Sequence, residues 1–545
     1  MKSKVYLLLL IITIFGGFLR FYRLSDYPVS LNTDEVTFAY NAFSILNTAR
    51  DEYGEFMPIT FKSVGDYKNP VPTYLLVPSI KLFGLNELGV RFPFALIATL
   101  AIPLVFLLSF QITKNYRIAI IAAILTAISP WHIFYSRFGS DQQMAMVIFG
   151  YGILFFLKML GKRQVHFAIS SATLVTLSMY TYYIERILVP LMVLLLCLLN
   201  FGAVRKNMKL FAIFISICIL VVSPLFIRTF FGPDLARGGM VFIAKDVDFT
   251  RNINVSRDSG VKLGTFDLEE NLALSFFIIK RYLNYFQSDF LFFTGLNMTH
   301  EGSLGLGVTY LFELPFLILG LWVILKNKKI SKGIIFGWIT LGLLPAAFTN
   351  NDQNPSRTIV VLPMLVLISA IGAHNFINLL NYFRYRLISY SIFSIFILII
   401  LTHAFLTYTV HLPIDRGEYS FYGIKEAVTY AIENQEKYRE IVFDPIRGVA
   451  APNIYGLPQA YVLFYSSYDP MKYQQEEKDK NGVFGFDKYK FRPIYWPDDR
   501  DDFGTLFIGS PWSLPLKDIK DEEILKRIYL KNGDLAFLVV SPKAN

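Results

Sequence analysis

Apolar runs long enough to cross a bilayer recur along most of this chain, and that repetition constrains the fold more than any single residue does. A spanning helix needs roughly 17 to 25 mostly apolar residues. Such runs begin near Val5, Arg91, Ile118, Asp141, Val165, Leu188, Leu210, Leu306, Gly333, Thr358 and Leu387. At 54% hydrophobic residues, a chain of 545 residues carries more apolar surface than one water-soluble core would bury. It therefore reads as an α-helical polytopic membrane protein of about eleven transmembrane helices. The first run follows MKSK without a small-residue cleavage site, so a retained anchor is expected. Cys197 and Cys218 lie inside apolar runs and imply neither a disulfide nor a metal framework.

Charge orients the spans. The connections MKSK, TKNYR, Lys158 through GKRQ, RKNMK, KNKKISK and NYFRYR hold lysine and arginine but no acidic residue. They alternate with the segments that hold the acids. The positive-inside rule thus predicts a multi-pass protein of the plasma (inner) membrane, with the N-terminus cytoplasmic and the C-terminal region extracytoplasmic. The net charge of +10 is spread over membrane loops rather than gathered into a patch, which argues against nucleic acid as a partner.

The expected organisation is a membrane domain over residues 1–410 and a small α/β extracytoplasmic domain over 411–545. Two long outer loops, 20–90 and 231–304, interrupt the first. In the first loop the apolar run from Tyr74 to Phe83 is too short to span and reads as an interfacial helix. In the second, Leu268, Leu272, Phe276, Ile279, Leu283 and Phe286 recur every three or four residues, the pattern of another amphipathic helix. The tail alternates a helical pattern, YGIKEAVTYAIENQEKY, with the apolar segments REIVFD, AYVLFY, GTLFIG and LAFLVV, read as strands.

Polar chemistry concentrates at the ends of the spans. Asp34 and Glu35 stand side by side in the first loop, followed by GDYKNPVPTY and KLFGLNELGVRFP. Further on come SPWHIFYSRFGSD, then THEGSLGLG before a span, and NPSRTIVVLP at the start of a late one. In order and spacing these pieces resemble the GT-C class of membrane glycosyltransferases. More specifically they resemble the family 39 type that includes protein O-mannosyltransferases and lipid A aminoarabinose transferases, and the resemblance covers about the first 380 residues.

The resemblance implies an inverting transfer of a sugar from a polyprenyl-phosphate donor to a hydroxyl acceptor at the outer membrane-water interface. The acceptor could be protein Ser or Thr, a lipid or a surface polysaccharide. Such a donor pairs a tail that cannot leave the bilayer with a head that cannot enter it, so the site must straddle the interface. A hydroxyl is a poor nucleophile, and a carboxylate that takes its proton contributes roughly 10² to 10⁴ in rate.

Asp34 is the expected base, by match to the family's first-loop acid, with Glu35 orienting the site and Asp141 a second catalytic or acceptor-orienting acid. The plainer reading is that each opens a helix, with Thr33 or Asn32 as the cap of the first. For the donor phosphate and sugar the candidates are Lys68, Arg91, Arg137, His300, Glu301 and Arg357. Lys68 matches a Lys-Pro-Pro position of the aminoarabinose transferases, although Asn69 here precedes Pro70. Arg91 could instead hold a first-loop acid ionised, Arg137 and Arg357 could be snorkelling interfacial arginines, and His300 could be a plain loop residue. The carboxylates and His300 could gather a divalent ion, but no HxxxH or CxxC spacing is present, and no metal or other cofactor is expected. The competing function is a lipid or solute transporter. Transporters place ionisable residues near the midplane and repeat their halves, whereas here the acids lie in loops and at span ends.

Overall fold

The computed structural model describes residues 2–63, 66–231, 243, 250, 266–296, 305–328, 330–350, 352–381, 386–415, 417–448, 454–480 and 483–543. Each of the eleven apolar runs contains a helix. Among the described residues, six helices are long and apolar enough to cross a membrane: Lys2–Phe21, Glu87–Thr113, Asp141–Lys162, Met208–Thr229, Pro355–Leu380 and Leu387–Asp415. The pair Tyr116–Ile128 and Pro130–Ser136, bent by 52°, makes a seventh if it is one span. The protein is a mainly helical, multi-span membrane protein with a mixed β-sheet at its C-terminal end.

Burial sorts the helices into layers. In Pro355–Leu380, 78% of the spanning window is buried, against 6% in Leu387–Asp415. The latter exposes Leu387, Ile392, Ile395 and Leu398. An apolar face of that size is untenable in water and needs lipid around it.

The helices that carry the site are α1 (Lys2–Phe21), α2 (Thr33–Thr48), α3 (Pro70–Phe83), α4 (Glu87–Thr99), α5 (Ala101–Thr113), α6 (Tyr116–Ile128), α7 (Pro130–Ser136) and α8 (Asp141–Lys162). The first long loop, residues 20–90, is a packed unit. A short hairpin pairs Phe61–Ser63 with Asp66–Lys68, Phe61 opposite Lys68. Pro70 follows directly as the first residue of α3, a position where its missing N–H costs nothing. The run expected at the interface is the body of α3, with Val71, Leu76 and Ile80 buried and Leu82 exposed. In the second loop, helix Phe266–Asn284 turns Leu272, Phe276, Ile279 and Leu283 outward, an exposed apolar stripe suited to lipid.

The tail holds a seven-stranded mixed sheet. From edge to edge its strands are Ile524–Tyr529, Leu535–Val540, Thr505–Gly509, Glu440–Phe443, Tyr489–Phe491, Val483–Phe486 and Asp479–Lys480. The central strand Glu440–Phe443 is parallel to both neighbours. Ile424–Asn434 is a helix, as its periodicity predicts.

AYVLFY corrects the sequence reading: it is not a strand but part of helix Pro458–Tyr465, whose residues 458–464 are all buried. A short apolar run buried on every side has no periodicity to separate helix from strand, and Pro458 at the first turn favours helix. This helix docks the tail on the first loop. Tyr461 Oη donates to the Leu31 carbonyl at 2.8 Å, and Tyr40 Oη of α2 donates to the Tyr468 carbonyl at 3.1 Å.

Candidate active site

Helix starts converge at the end of the bundle opposite the basic loops. α2 is capped by Asn32: its Oδ1 accepts from the Glu35 N–H at 2.8 Å, while Glu35 Oε2 accepts from the Asn32 N–H at 2.8 Å. This is a capping box. α8 is capped by Ser140, whose Oγ accepts from the Gln143 N–H at 3.3 Å. The Asn32 amide also donates to the Phe138 carbonyl at 3.4 Å, stitching the two starts together. Between them lies a cavity of about 280 Å³ lined by Asp34, Tyr135, Gly139, Asp141 and Ser356, among others. Asp34 and Asp141, 107 positions apart, thus share one cavity, each in the first turn of its helix where the dipole favours negative charge.

The adjacent carboxylates take different environments. Neighbours in a helix point about 100° apart. Asp34 is half exposed, and Lys68 Nζ lies 2.5 Å from its Oδ1. Glu35 is fully buried, with Arg91 Nε 2.9 Å from its Oε1. The same Arg91 guanidinium donates to the carbonyls of Leu24, Pro28 and Ser30. Burial pushes the Glu35 carboxyl up, and Arg91 opposes that shift. The pair ties α2 and α4 to the turn after α1. Gly139 completes the packing: its φ of +53° is left-handed, and a Cβ there would come within 2.5 Å of Glu35 Cγ. Glycine alone meets both demands. Arg91 thus pairs with a first-loop acid, the second of its two expected roles, and Glu35 and Arg91 are engaged with each other and with the backbone rather than lining the cavity.

The other candidates scatter. Arg137, in the turn after α7, is buried. It donates to five carbonyls, those of Leu19, Arg20, Tyr22, Arg23 and Tyr27, and to the Tyr408 hydroxyl. It closes the end of α1 rather than reaching the cavity. Arg357 donates to Thr349 Oγ1 at 2.7 Å and to the Asn350 carbonyl, holding its own loop, while its neighbour Ser356 lines the cavity. His300 and Glu301 lie outside the described residues. Among the described residues no three His, Cys, Asp or Glu side chains gather as a metal site.

Two features escaped sequence reasoning. Arg186 donates to Asn69 Oδ1 at 2.9 Å, placing a second cation beside the Lys68–Asn69 corner. The Asn69 Nδ2 is buried without a hydrogen-bond partner. The signal was present in YTYYIERILVP, where an arginine opens a span next to aromatics. Behind the cavity, His132 Nδ1 lies 2.7 Å from Arg20 Nη2, and its Nε2 lies 2.9 Å from the Gln143 amide. A guanidinium can only donate, so Nδ1 is the acceptor in that contact. The Arg20 guanidinium also donates to the carbonyls of Gly16, Thr126 and Ala127, so this cluster braces α1, α6 and α8 beneath the acids.

Comparison with known proteins agrees with this architecture. Residues 67–227 match the family model described as dolichyl-phosphate-mannose-protein mannosyltransferase. ArnT from Cupriavidus metallidurans bound to undecaprenyl phosphate superimposes with a TM-score of 0.55 at 11% identity, covering 99% of this chain and 97% of that one. Its apo state gives 0.54 at 11% identity, covering 99% and 98%. The archaeal oligosaccharyltransferase AglB from Archaeoglobus fulgidus, in complex with an inhibitory peptide and a dolichol-phosphate, gives 0.48 at 14% identity over 79% of this chain. This chain spans 58% of the length of that archaeal protein. No curated protein sequence matches the chain. The protein thus has an ArnT-like fold, and its residues 67–227 are similar to the dolichyl-phosphate-mannose-protein mannosyltransferase family.

Proposed function

We propose that this protein moves a sugar from a polyprenyl-phosphate donor to an acceptor hydroxyl, with inversion, at the outer surface of the plasma (inner) membrane. The observation that carries the reading is the shared cavity: Asp34, in contact with Lys68, lines it together with Asp141 at the acid-bearing end of the bundle. In this reading all eleven apolar helices cross the membrane, the basic connections face the cytoplasm, and the sheet-bearing tail stands outside. The undecaprenyl phosphate named for ArnT is the carrier that such a donor leaves behind, and a lipid-borne phosphate would reach a site at the span ends.

The roles follow from chemistry. Asp34 takes the acceptor's proton as the acceptor oxygen bonds to the anomeric carbon and the bond from that carbon to the phosphate oxygen breaks. The polyprenyl phosphate leaves with the bonding pair. Lys68 and Arg186 balance its negative charge, with Asn69 Nδ2 as a neutral donor between them. Before donor arrives, Lys68 pairs with Asp34; when the phosphate competes for Lys68, the carboxylate is released for proton transfer. Asp141 orients the acceptor from the far wall.

The test is to delete the gene, compare surface glycans and glycoproteins by mass spectrometry, and complement with parent or Asp34→Asn. A sugar that disappears, returns with the parent gene and stays absent with the variant is expected. Unchanged glycans in the deletion strain would refute the proposal.

A further inference from the structure

One wall of the Asp34 cavity comes from outside the membrane bundle. Among the described residues, Phe421 is the one lining residue from beyond position 356, and it belongs to the C-terminal region. Its ring packs beside the core of that region yet stays half-buried. Its backbone lies at φ +59°, a left-handed value that glycine takes freely and a residue with a Cβ takes at a cost. Gly423, two positions on, takes φ +89°. A turn that had only to reverse the chain would be served as well by glycine at 421, so the phenyl ring itself calls for a reason.

The ring is fixed from two sides. In the C-terminal region the Arg447 guanidinium lies over it, 4.2 Å from the centroid, and the Tyr461 ring stacks on it at 5.9 Å. Arg447 is buried, donates to the Glu418 carbonyl at 2.9 Å and also lies over Phe537 of the strand Leu535–Val540. From the first loop, Ser30 Oγ donates to the Phe421 carbonyl at 3.1 Å, and the Leu31 carbonyl accepts from Tyr461 Oη. Ser30 and Leu31 run directly into Asn32, the cap of α2, so Phe421 is held in register with the helix that carries Asp34.

Resting on the proposed role of Asp34, we propose that Phe421 is a specificity-determining residue by which the C-terminal region selects the acceptor hydroxyl against water. Water offers the same O–H as the acceptor, and a carboxylate that takes a proton from one can take it from the other. In that side reaction the water oxygen bonds to the anomeric carbon and one water proton passes to Asp34. The bond from carbon to phosphate oxygen breaks, and the polyprenyl phosphate leaves with the bonding pair. The donor is then lost as free sugar, an outcome that closing a site against water prevents. The polar lining of the cavity, Asn32, Thr33, Ser140, Gln142 and Ser356, attracts water; the Phe421 ring fills space beside it that water would otherwise take.

The test mixes the purified full chain with washed envelopes of the deletion strain, which supply unused donor and unglycosylated acceptor, and measures free and transferred sugar by mass spectrometry. Phe421→Gly suits φ +59° and removes only the ring. The ratio of free to transferred sugar should rise about tenfold or more over the parent, and adding Asp34→Asn should abolish both products. Phe421→Leu keeps apolar bulk and serves if the glycine variant does not fold; its ratio should rise about threefold or more. Damage to the fold lowers both products together and leaves the ratio alone. An unchanged ratio in the folded variants therefore overturns the proposal, as does free sugar that persists when Asp34→Asn is added. A parent enzyme that forms neither product refutes the proposed function, which separates that failure from this one.

Discussion

Substituting the two adjacent acids one at a time should separate chemistry from stability. Glu35→Gln keeps the shape of a side chain whose two oxygens accept from Arg91 Nε and the Asn32 N–H, both at 2.8–2.9 Å. An amide has one oxygen, so one of those donors must face an NH₂, and Arg91 is left buried without a counter-charge. Breaking such a pair costs about 3–5 kcal/mol. Asp34→Asn, one residue earlier and half exposed, keeps its helix-start role and should stay within about 0.5 kcal/mol of the parent. Its transfer rate should nevertheless fall by roughly 10² or more, because the basic oxygen is gone. The assay pairs thermal unfolding of each purified variant with sugar transfer and with binding of undecaprenyl phosphate. A stable Glu35→Gln with lost transfer would move Glu35 into the chemistry. An Asp34→Asn enzyme transferring at the parent rate would remove Asp34 from the mechanism and leave Asp141 as the acid to test.

Other outcomes follow from single contacts. Lys68→Gln and Arg186→Gln should each weaken undecaprenyl phosphate binding by about 1.5–3 kcal/mol, the worth of a charge-assisted contact, measured by titration; unchanged affinity would place the phosphate elsewhere. Gly139→Ala should destabilise by about 1–3 kcal/mol in thermal unfolding, since the new Cβ needs a left-handed backbone and meets Glu35. Glu52 is buried beside Asn41, and burial raises its pKa to about 8. The folded state holds a proton that the unfolded state has lost above its ordinary value of 4.5, so stability should decline from there up to about pH 8. Glu52→Gln should flatten that slope, and an unchanged slope would assign it to other groups. A reporter active only outside the membrane should respond when fused after Asp415 and not after Lys329; the reverse would invert the proposed orientation.

Much of this protein was legible in one dimension because a bilayer imposes a one-dimensional rule. Apolar run length and the alternation of acid-free basic connections with acidic ones need no tertiary contact to be read, and all eleven runs contain helices. Helix starts are equally local: the acids at 34 and 141 read as helix openers, and α2 and α8 begin at Thr33 and Asp141. Tertiary structure decided what each charged side chain does there. Asp34 and Glu35 are indistinguishable in sequence, yet the 100° between them sends one to a cavity and the other to Arg91. Arg91 read equally as a phosphate ligand or the partner of a first-loop acid, and Arg137 as a phosphate ligand or a snorkelling residue, until the fold supplied Glu35 for the one and carbonyls for the other. AYVLFY became a helix because burial on all sides erases the periodicity that would have identified it. The meeting of Asp34 with Asp141, and of Lys68 with Arg186 around Asn69, depends on helix starts far apart in the chain being packed side by side. No local pattern encodes such a distance; the burial of apolar surface between the helices sets it.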